Sequence, residues 1–242
     1  MSSGGLSMDL AQPDAAVGSN GALTLDRGLR VLELLAAEAR EFTVAEIATT
    51  LGMHRQAVYR LLSTLETHHL VARAGSGRFT LGLGVLRLAR LVSPHLQRRA
   101  IPQLGILAQA LGATAQCVVA EGLDAVVLCV VEPDNVTYHL SQQPGARHPL
   151  EQGASGLAIL SGRPPSRNEP PEVSLGRERG YVVTVGQVTP GAVGIAVPLR
   201  DSKGRTLDAS VGVVSLQELD IERAVKLLEK AAKAISANDV DS

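Results

Sequence analysis

An α+β chain in two unlike parts is predicted by three observations. Between Phe42 and Leu81 a short amphipathic stretch, a glycine turn, a longer amphipathic stretch and a Gly-tipped pair of strands follow one another without slack. From Ile101 onward the apolar period changes from helical to alternating, as a mainly antiparallel sheet covered by helices requires. Charge changes with it. Residues 21–100 hold eleven Arg, no Lys and six Asp plus Glu, whereas residues 101–242 hold twelve basic and sixteen acidic side chains. The organisation that follows is a flexible tail over 1–20, a winged helix-turn-helix over 21–82, a linker helix over 83–100 and the sheet domain over 101–242.

The first helix is expected from about Leu25 to Ala39, capped by Thr24, with Leu25, Leu29, Leu32 and Leu35–Ala36 as its buried face. A second begins at Thr43, where Glu46 three residues on completes a capping box, and Gly52 ends the turn that follows. The third, His54 to His68, buries Val58, Leu61, Leu62 and Leu65 and leaves Arg55, Gln56, Tyr59, Arg60 and Ser63 outside. Strands at Leu70–Arg73 and Arg78–Leu81 close a hairpin around Ala74–Gly77.

A helix of that length fits a DNA major groove with its first residues at the base edges. Arg55 can grip guanine or a phosphate and Gln56 can pair with adenine, while Tyr59 and Arg60 suit the backbone. Arg73 and Arg78 flank the wing tip, where arginines enter a minor groove or meet phosphate. Thr43 and His54, at the starts of the two helices, complete the expected DNA-facing set. Each of these residues taken alone also reads as a solvated surface side chain.

The net charge of −1 hides this basic front on an acidic back. Aromatic content of 2% with no Trp implies an aliphatic core and argues against stacking-based recognition of single strands. The chain has two cysteines, no secretory leader pattern and no apolar run approaching the ~18 residues of a membrane span, so a cytoplasmic setting is expected.

Four blocks in this order, LDRGLRVLELL at 25–35, FTVAEIATTLGM at 42–53, VYRLLSTLE at 58–66 and GRFTLGLGVLRLA at 77–89, resemble the N-terminal half of IclR-type transcriptional regulators. The resemblance implies a homo-oligomeric regulator of a DNA operator. One departure concerns the recognition helix: a Pro-Lys-Ser-Thr-like opening in the family is His54-Arg55-Gln56-Ala57 here, which implies a different operator.

Gly82 to Leu111 reads as helix broken twice, at Ser93-Pro94 and Ile101-Pro102. The apolar stripe Val85, Leu86, Leu88–Ala89 and Val92 needs a cover, and the resemblance implies dimerisation there. Arg87, Arg90, Arg98 and Arg99 read as solvated or paired charges. Strands are expected at Ala115–Ala120, Ala125–Val131, Asn135–Gln142, Tyr181–Val185, Ala192–Leu199 and Leu207–Ser215, and a last helix at Asp220–Ile235. This half resembles the GAF-like effector domain of the same family, most densely over Gly145–Leu160 and Arg177–Gly204.

Gly153-Ala154-Ser155-Gly156, after Leu150, opens an apolar helix with small residues. They would admit a ligand carboxylate to free N–H groups, or equally allow tight packing of helix on sheet. With the resemblance, Leu150, Gly153, Ala154, Ser155, Gly194, Ser210 and Gly212 become the expected effector set, for a small carboxylated or aromatic metabolite. Thr184–Val185 and Gly194 stand where some members carry an acid and a cysteine, and a Pro-rich run over 161–179 stands where helices are expected.

Cys117 and Cys129 come opposite each other if the hairpin loop is the three residues Gly122–Asp124; one residue more or less puts them out of register, and buried strand cysteines are the other outcome. The histidines have no metal-ligand spacing, and no cofactor motif appears. Two other readings stay open: a C-terminal half used only for assembly, and an enzyme behind the helix-turn-helix, for which no nucleophile motif or paired carboxylates are found.

Overall fold

The computed structural model describes residues 21–38, 40–90, 92–134 and 143–237. They form two compact units that divide between Val92 and Ser93. The stretch expected as one linker is therefore shared, its first part in one unit and its second in the other. The strand expected at Asn135–Gln142 and the tail 1–20 lie outside the described residues.

The first unit runs α1 (Leu23–Ala37), β1 (Phe42–Thr43), α2 (Val44–Thr50), α3 (Arg55–Thr67), β2 (Val71–Ala74), β3 (Arg78–Leu81) and α4 (Gly84–Ala89). Its sheet has the order β1-β3-β2, all antiparallel. The strand β1 was not expected. It pairs Phe42 with Phe79, the only two phenylalanines of the chain, and both are fully or almost fully buried. Burying two such side chains contributes about 1.5–3 kcal/mol each. The guanidinium of Arg40 stacks 3.8 Å from the Phe42 ring centroid and that of Arg73 lies 5.2 Å from Phe79's.

Helix α1 keeps the expected Leu35 in the core and Leu32 against it, but the rest of its inward face differs from the one expected. Val31, Leu34 and Leu35 are buried with Gly28, and α3 comes close enough for Leu61 to face Gly28. Leu25 and Leu29 remain 63% and 49% exposed. Leucines occupy both stripes of this helix, so the period alone does not choose between them. The helix also starts earlier, with Ala22 as its N-cap and no side-chain cap from Thr24.

Gly82 and Gly84 hold the end of the wing. Their N–H groups reach Leu70 O and His69 O at 2.8 Å each, and a Cβ on either would lie within 2.6 Å of the His69 carbonyl oxygen. The Gly-Leu-Gly run is a close backbone crossing.

The second unit holds α5 (Pro94–Leu111), β4 (Thr114–Glu121), β5 (Asp124–Val131), β6 (Arg147–Pro149), α6 (Gly153–Gly162), α7 (Pro171–Arg179), β7 (Val182–Val185), β8 (Val193–Arg200), β9 (Thr206–Ser215) and α8 (Ile221–Ser236). The sheet order is β6-β5-β4-β9-β8-β7, antiparallel throughout. Helices α5 and α8 cover one face and α6 and α7 the other, with separate apolar clusters on each side.

Three expectations change here. The break at Ser93-Pro94 is real, but α5 continues through Pro102. A helix can absorb one missing N–H when its flanking face is held, as Ala100, Leu104, Leu107 and Ala108 are. The Pro-rich run contains a helix after all: Pro171 opens α7 and Gly180, at φ 83°, closes it. In α8 the buried positions are Ala224, Leu228, Ala231 and Ile235, while Ile221 is exposed.

Candidate functional site

In the first unit the site is built on α3. Thr43 is the N-cap of α2, with its capping box complete: Glu46 Oε2 accepts from Thr43 N at 2.7 Å and from Thr43 Oγ1 at 2.7 Å, and Thr43 Oγ1 accepts from Glu46 N at 3.2 Å. Arg40 and Arg78 approach the same carboxylate at 3.1 and 3.6 Å. These contacts, the Thr43 backbone N–H foremost and its hydroxyl next, hold the Glu46 pKa down at about 2. Glu46 thereby ties β1, α2 and β3 into one frame.

Helix α3 starts at His54, whose side chain makes no capping bond. Arg55, Gln56, Tyr59, Arg60 and Ser63 are all exposed along one side of it. The wing arginines are both tethered. Arg73 Nε donates to Glu66 at 2.8 and 3.1 Å, and Arg78 Nη1 to the Glu41 carbonyl at 3.2 Å. Arg73 pairs across the ladder with Phe79 and Arg78 with Ala74, which places the two arginines on opposite faces of the wing. The tip, Gly75–Gly77, is a single 3₁₀ turn without a cation.

In the second unit a cavity of about 30 Å³ lies where α6 starts over the sheet. Gln116, Ala154, Ser155, Thr184, Gln187 and Gly194 are among its walls. Gln116 is buried at 3% exposure; its Nε2 donates to Ser155 Oγ at 3.0 Å, and its Oε1 has no partner among the described residues. The Gly153 N–H, first of the α6 donors, is met by Gln187 Oε1 at 2.9 Å from the β7–β8 connection. Val188 sits directly over Gly153, where a Cβ would come within 2.7 Å of it. A free helix N-terminus is a ready acceptor site for an anion, and here a side-chain amide of the same unit occupies it. The volume suffices for about one water molecule.

The IclR helix-turn-helix domain family matches residues 24–75. The chain is 31% identical over 121 residues to the HTH-type transcriptional regulator KipR of Bacillus subtilis, the match covering 49% of this chain and 48% of KipR, so it spans about half of that relative's length. The fold is similar to the crystal structure of an IclR transcriptional regulator from Alicyclobacillus acidocaldarius, at 25% identity and TM-score 0.70, over 90% of this chain and 98% of that one. It is also similar to an IclR homologue from Microbacterium hydrocarbonoxydans complexed with 4-hydroxybenzoate, at 24% identity and TM-score 0.73, over 88% and 98%. Residues 24–75 carry an IclR helix-turn-helix domain, and the fold of the chain is similar to that of IclR-type regulators.

Within this IclR-type chain the expected DNA-facing residues divide into two groups. Arg55, Gln56, Arg60 and His54 present their side chains to solvent at the start of α3, with no hydrogen bond or ion pair to other side chains among the described residues. Thr43, Arg73 and Arg78 are engaged within the unit, and Tyr59 lies beside Arg73. Of the expected effector residues, Ala154, Ser155 and Gly194 line the cavity and Gly153 forms its roof contact.

Leu150, Ser210 and Gly212 serve packing instead. Leu150 is 3% exposed in an apolar cluster, and Ser210 Oγ donates to Ser155 O at 3.0 Å. A Cβ on Gly212 would meet Ile195 O at 2.8 Å. Gln116 and Gln187 were not among the residues expected from the sequence. A lone amide inside the apolar run Thr114–Val119 is a visible signal for the first; nothing in the Gly186–Gly191 connection singles out the second.

Proposed function

We propose that this IclR-type chain is a sequence-specific DNA-binding regulator of transcription, whose operator affinity is set by a small molecule in the second unit. The observation that carries the DNA reading is the uncommitted start of α3. Arg55, Gln56 and Arg60 leave donors and acceptors free on the exposed first two turns, as base and phosphate recognition in a major groove needs. Arg78 and Arg73 add charge from the wing, each keeping some guanidinium donors free beyond its internal partner.

The effector reading rests on the buried, unpartnered Gln116 Oε1 and on the α6 donor held by a replaceable side chain. Together they suit a small molecule with a hydroxyl or N–H for Gln116 and a carboxylate that displaces Gln187 from Gly153. The relative bound to 4-hydroxybenzoate supports that class. Entry requires the Gln187–Val188 segment to lift. A coupling of ~1–3 kcal/mol, about 5–150-fold in affinity, would make an effective switch.

A homo-oligomer is part of the proposal. Leu25 and Leu29 on α1, and Leu83, Leu86, Leu88 and Val92 at and beside α4, are 49–82% exposed and ask for a cover. A cytoplasmic setting and the lack of an enzymatic reaction belong to the same reading; no helix among the described residues is long and apolar enough to cross a membrane.

A second reading, that the sheet domain serves assembly alone, is favoured by the small cavity. Thermal-shift titration of the full chain with 4-hydroxybenzoate and small hydroxy acids separates the two. Stabilisation that is lost in Gln116→Leu supports the effector site; no shift with any of them favours assembly.

A further inference from the structure

The two cysteines lie on neighbouring strands, and the path by which they meet is unusual. The β4–β5 turn is the two residues Gly122-Leu123, with Glu121 opposite Asp124. In an unbroken ladder from that turn, Cys117 would face Leu128 and Cys129 would point to the other side of the sheet. Instead the register shifts: Val118 pairs with Val127, Cys117 pairs with Cys129, and Leu128 is an extra residue without a partner. The side-chain phase shifts with it. Val127 packs in the cluster under α6, whereas Leu128 and Cys129 both pack in the cluster under α5 and α8, the cluster that holds Cys117. One bulge therefore restores the register and turns Cys129 onto the face of Cys117.

Both thiols are free and buried, Cys117 at 0% and Cys129 at 5% exposure. Directly opposed residues of an antiparallel pair have Cα atoms roughly 4.5–5.5 Å apart, inside the usual disulfide range of about 4.4–6.8 Å.

From this juxtaposition we propose that Cys117 and Cys129 are a redox modification site: a dithiol that peroxide converts to an intrachain disulfide across β4 and β5. It requires only the sheet and does not depend on the proposed regulatory function. The order of steps follows from the surroundings. The thiol and backbone N–H of Cys117 act on Cys129 and hold its pKa below the usual thiol range, while that same thiol contact and burial push Cys117 up. Cys129, also the less buried, attacks first. Its thiolate displaces hydroxide from hydrogen peroxide, the O–O bond breaks, and a sulfenic acid forms on Cys129. Cys117 then attacks that sulfur, the S–O bond breaks and water leaves. In total two thiols and one peroxide give one disulfide and two waters, with peroxide reduced and the thiols oxidised.

The test treats the folded full chain with hydrogen peroxide, alkylates it under denaturing conditions and measures intact mass and the linked peptide. The expected result is loss of both alkylatable thiols in a monomeric, Cys117–Cys129-linked chain, reversed by dithiothreitol. Cys117→Ser should stop at a sulfenic acid on Cys129 that dimedone captures, and Cys129→Ser should react several-fold more slowly. Two intact thiols after treatment, a disulfide only between chains, or sulfinic acid without the internal link in the unsubstituted chain would overturn the proposal. Equal dimedone capture in the two serine variants would overturn the order of attack.

Discussion

Arg55 occupies the first turn of α3, exposed and without a side-chain partner among the described residues, and is the residue on which base reading most depends. Arg55→Ala should weaken binding of the preferred DNA by ~1–3 kcal/mol and relax the choice at one base, measured by fluorescence anisotropy on single-base variants. Arg78→Ala removes a charge near the backbone and should weaken binding evenly across sequences, with a shallower salt dependence. Glu46 and Glu169 bear on acid stability. Thr43 holds the first at about 2, and Arg177, then Ser166 N–H and Ser174, hold the second at about 2, against an ordinary 4.5. Because both are depressed in the folded chain, their stabilisation is complete above about pH 4.5 and is lost as pH falls toward 2. Urea denaturation at stepped pH should show that loss, and Glu46→Gln or Glu169→Gln should each flatten it. At this scale the outward side chains of α3 were legible because Arg55, Gln56, Tyr59, Arg60 and Ser63 recur at helical spacing around the apolar Val58 and Leu62. Gln187 was not, since only the fold brings that connection over Gly153.

The elements divide along the same line. Helices α2 and α3 and the hairpin were readable because each has its own local punctuation: the Thr43–Glu46 box, Gly52 at φ 63° and the Gly75–Gly77 tip. The inward face of α1 was not, because a leucine-rich helix has two apolar stripes and only the partner chooses. The bulge at Leu128 was equally hidden; it is a property of the ladder, set by packing on both faces of the sheet. The small residues of α6 carried two meanings, and the structure assigns them individually. Gly156 is packing: a Cβ there would lie 2.4 Å from Leu150 O. Gly156→Ala should therefore destabilise the chain by roughly 1–3 kcal/mol, as overpacking does, and a denaturation midpoint within error of the parent would refute that assignment.

On the scale of the molecule, the charge asymmetry and the change of period mark two units, and the division at Val92–Ser93 falls inside the stretch read as a linker. Two surfaces of the first unit stay apolar and open, on α1 and beside α4. Leu25→Glu with Leu29→Glu should leave that unit folded, since neither side chain enters its core, and should reduce the proposed homo-oligomer to a smaller species in sedimentation velocity. An unchanged sedimentation coefficient would remove α1 from the interface.

The central claim is that α3 reads a DNA sequence, and selection from a random duplex pool tests it most directly. The full chain should enrich a near-palindromic site with half-sites about one helical turn, or a multiple, apart, and Arg55→Ala should lose preference at one position in each half. A pool that stays unenriched, or an Arg55→Ala profile identical to the parent's, would contradict it.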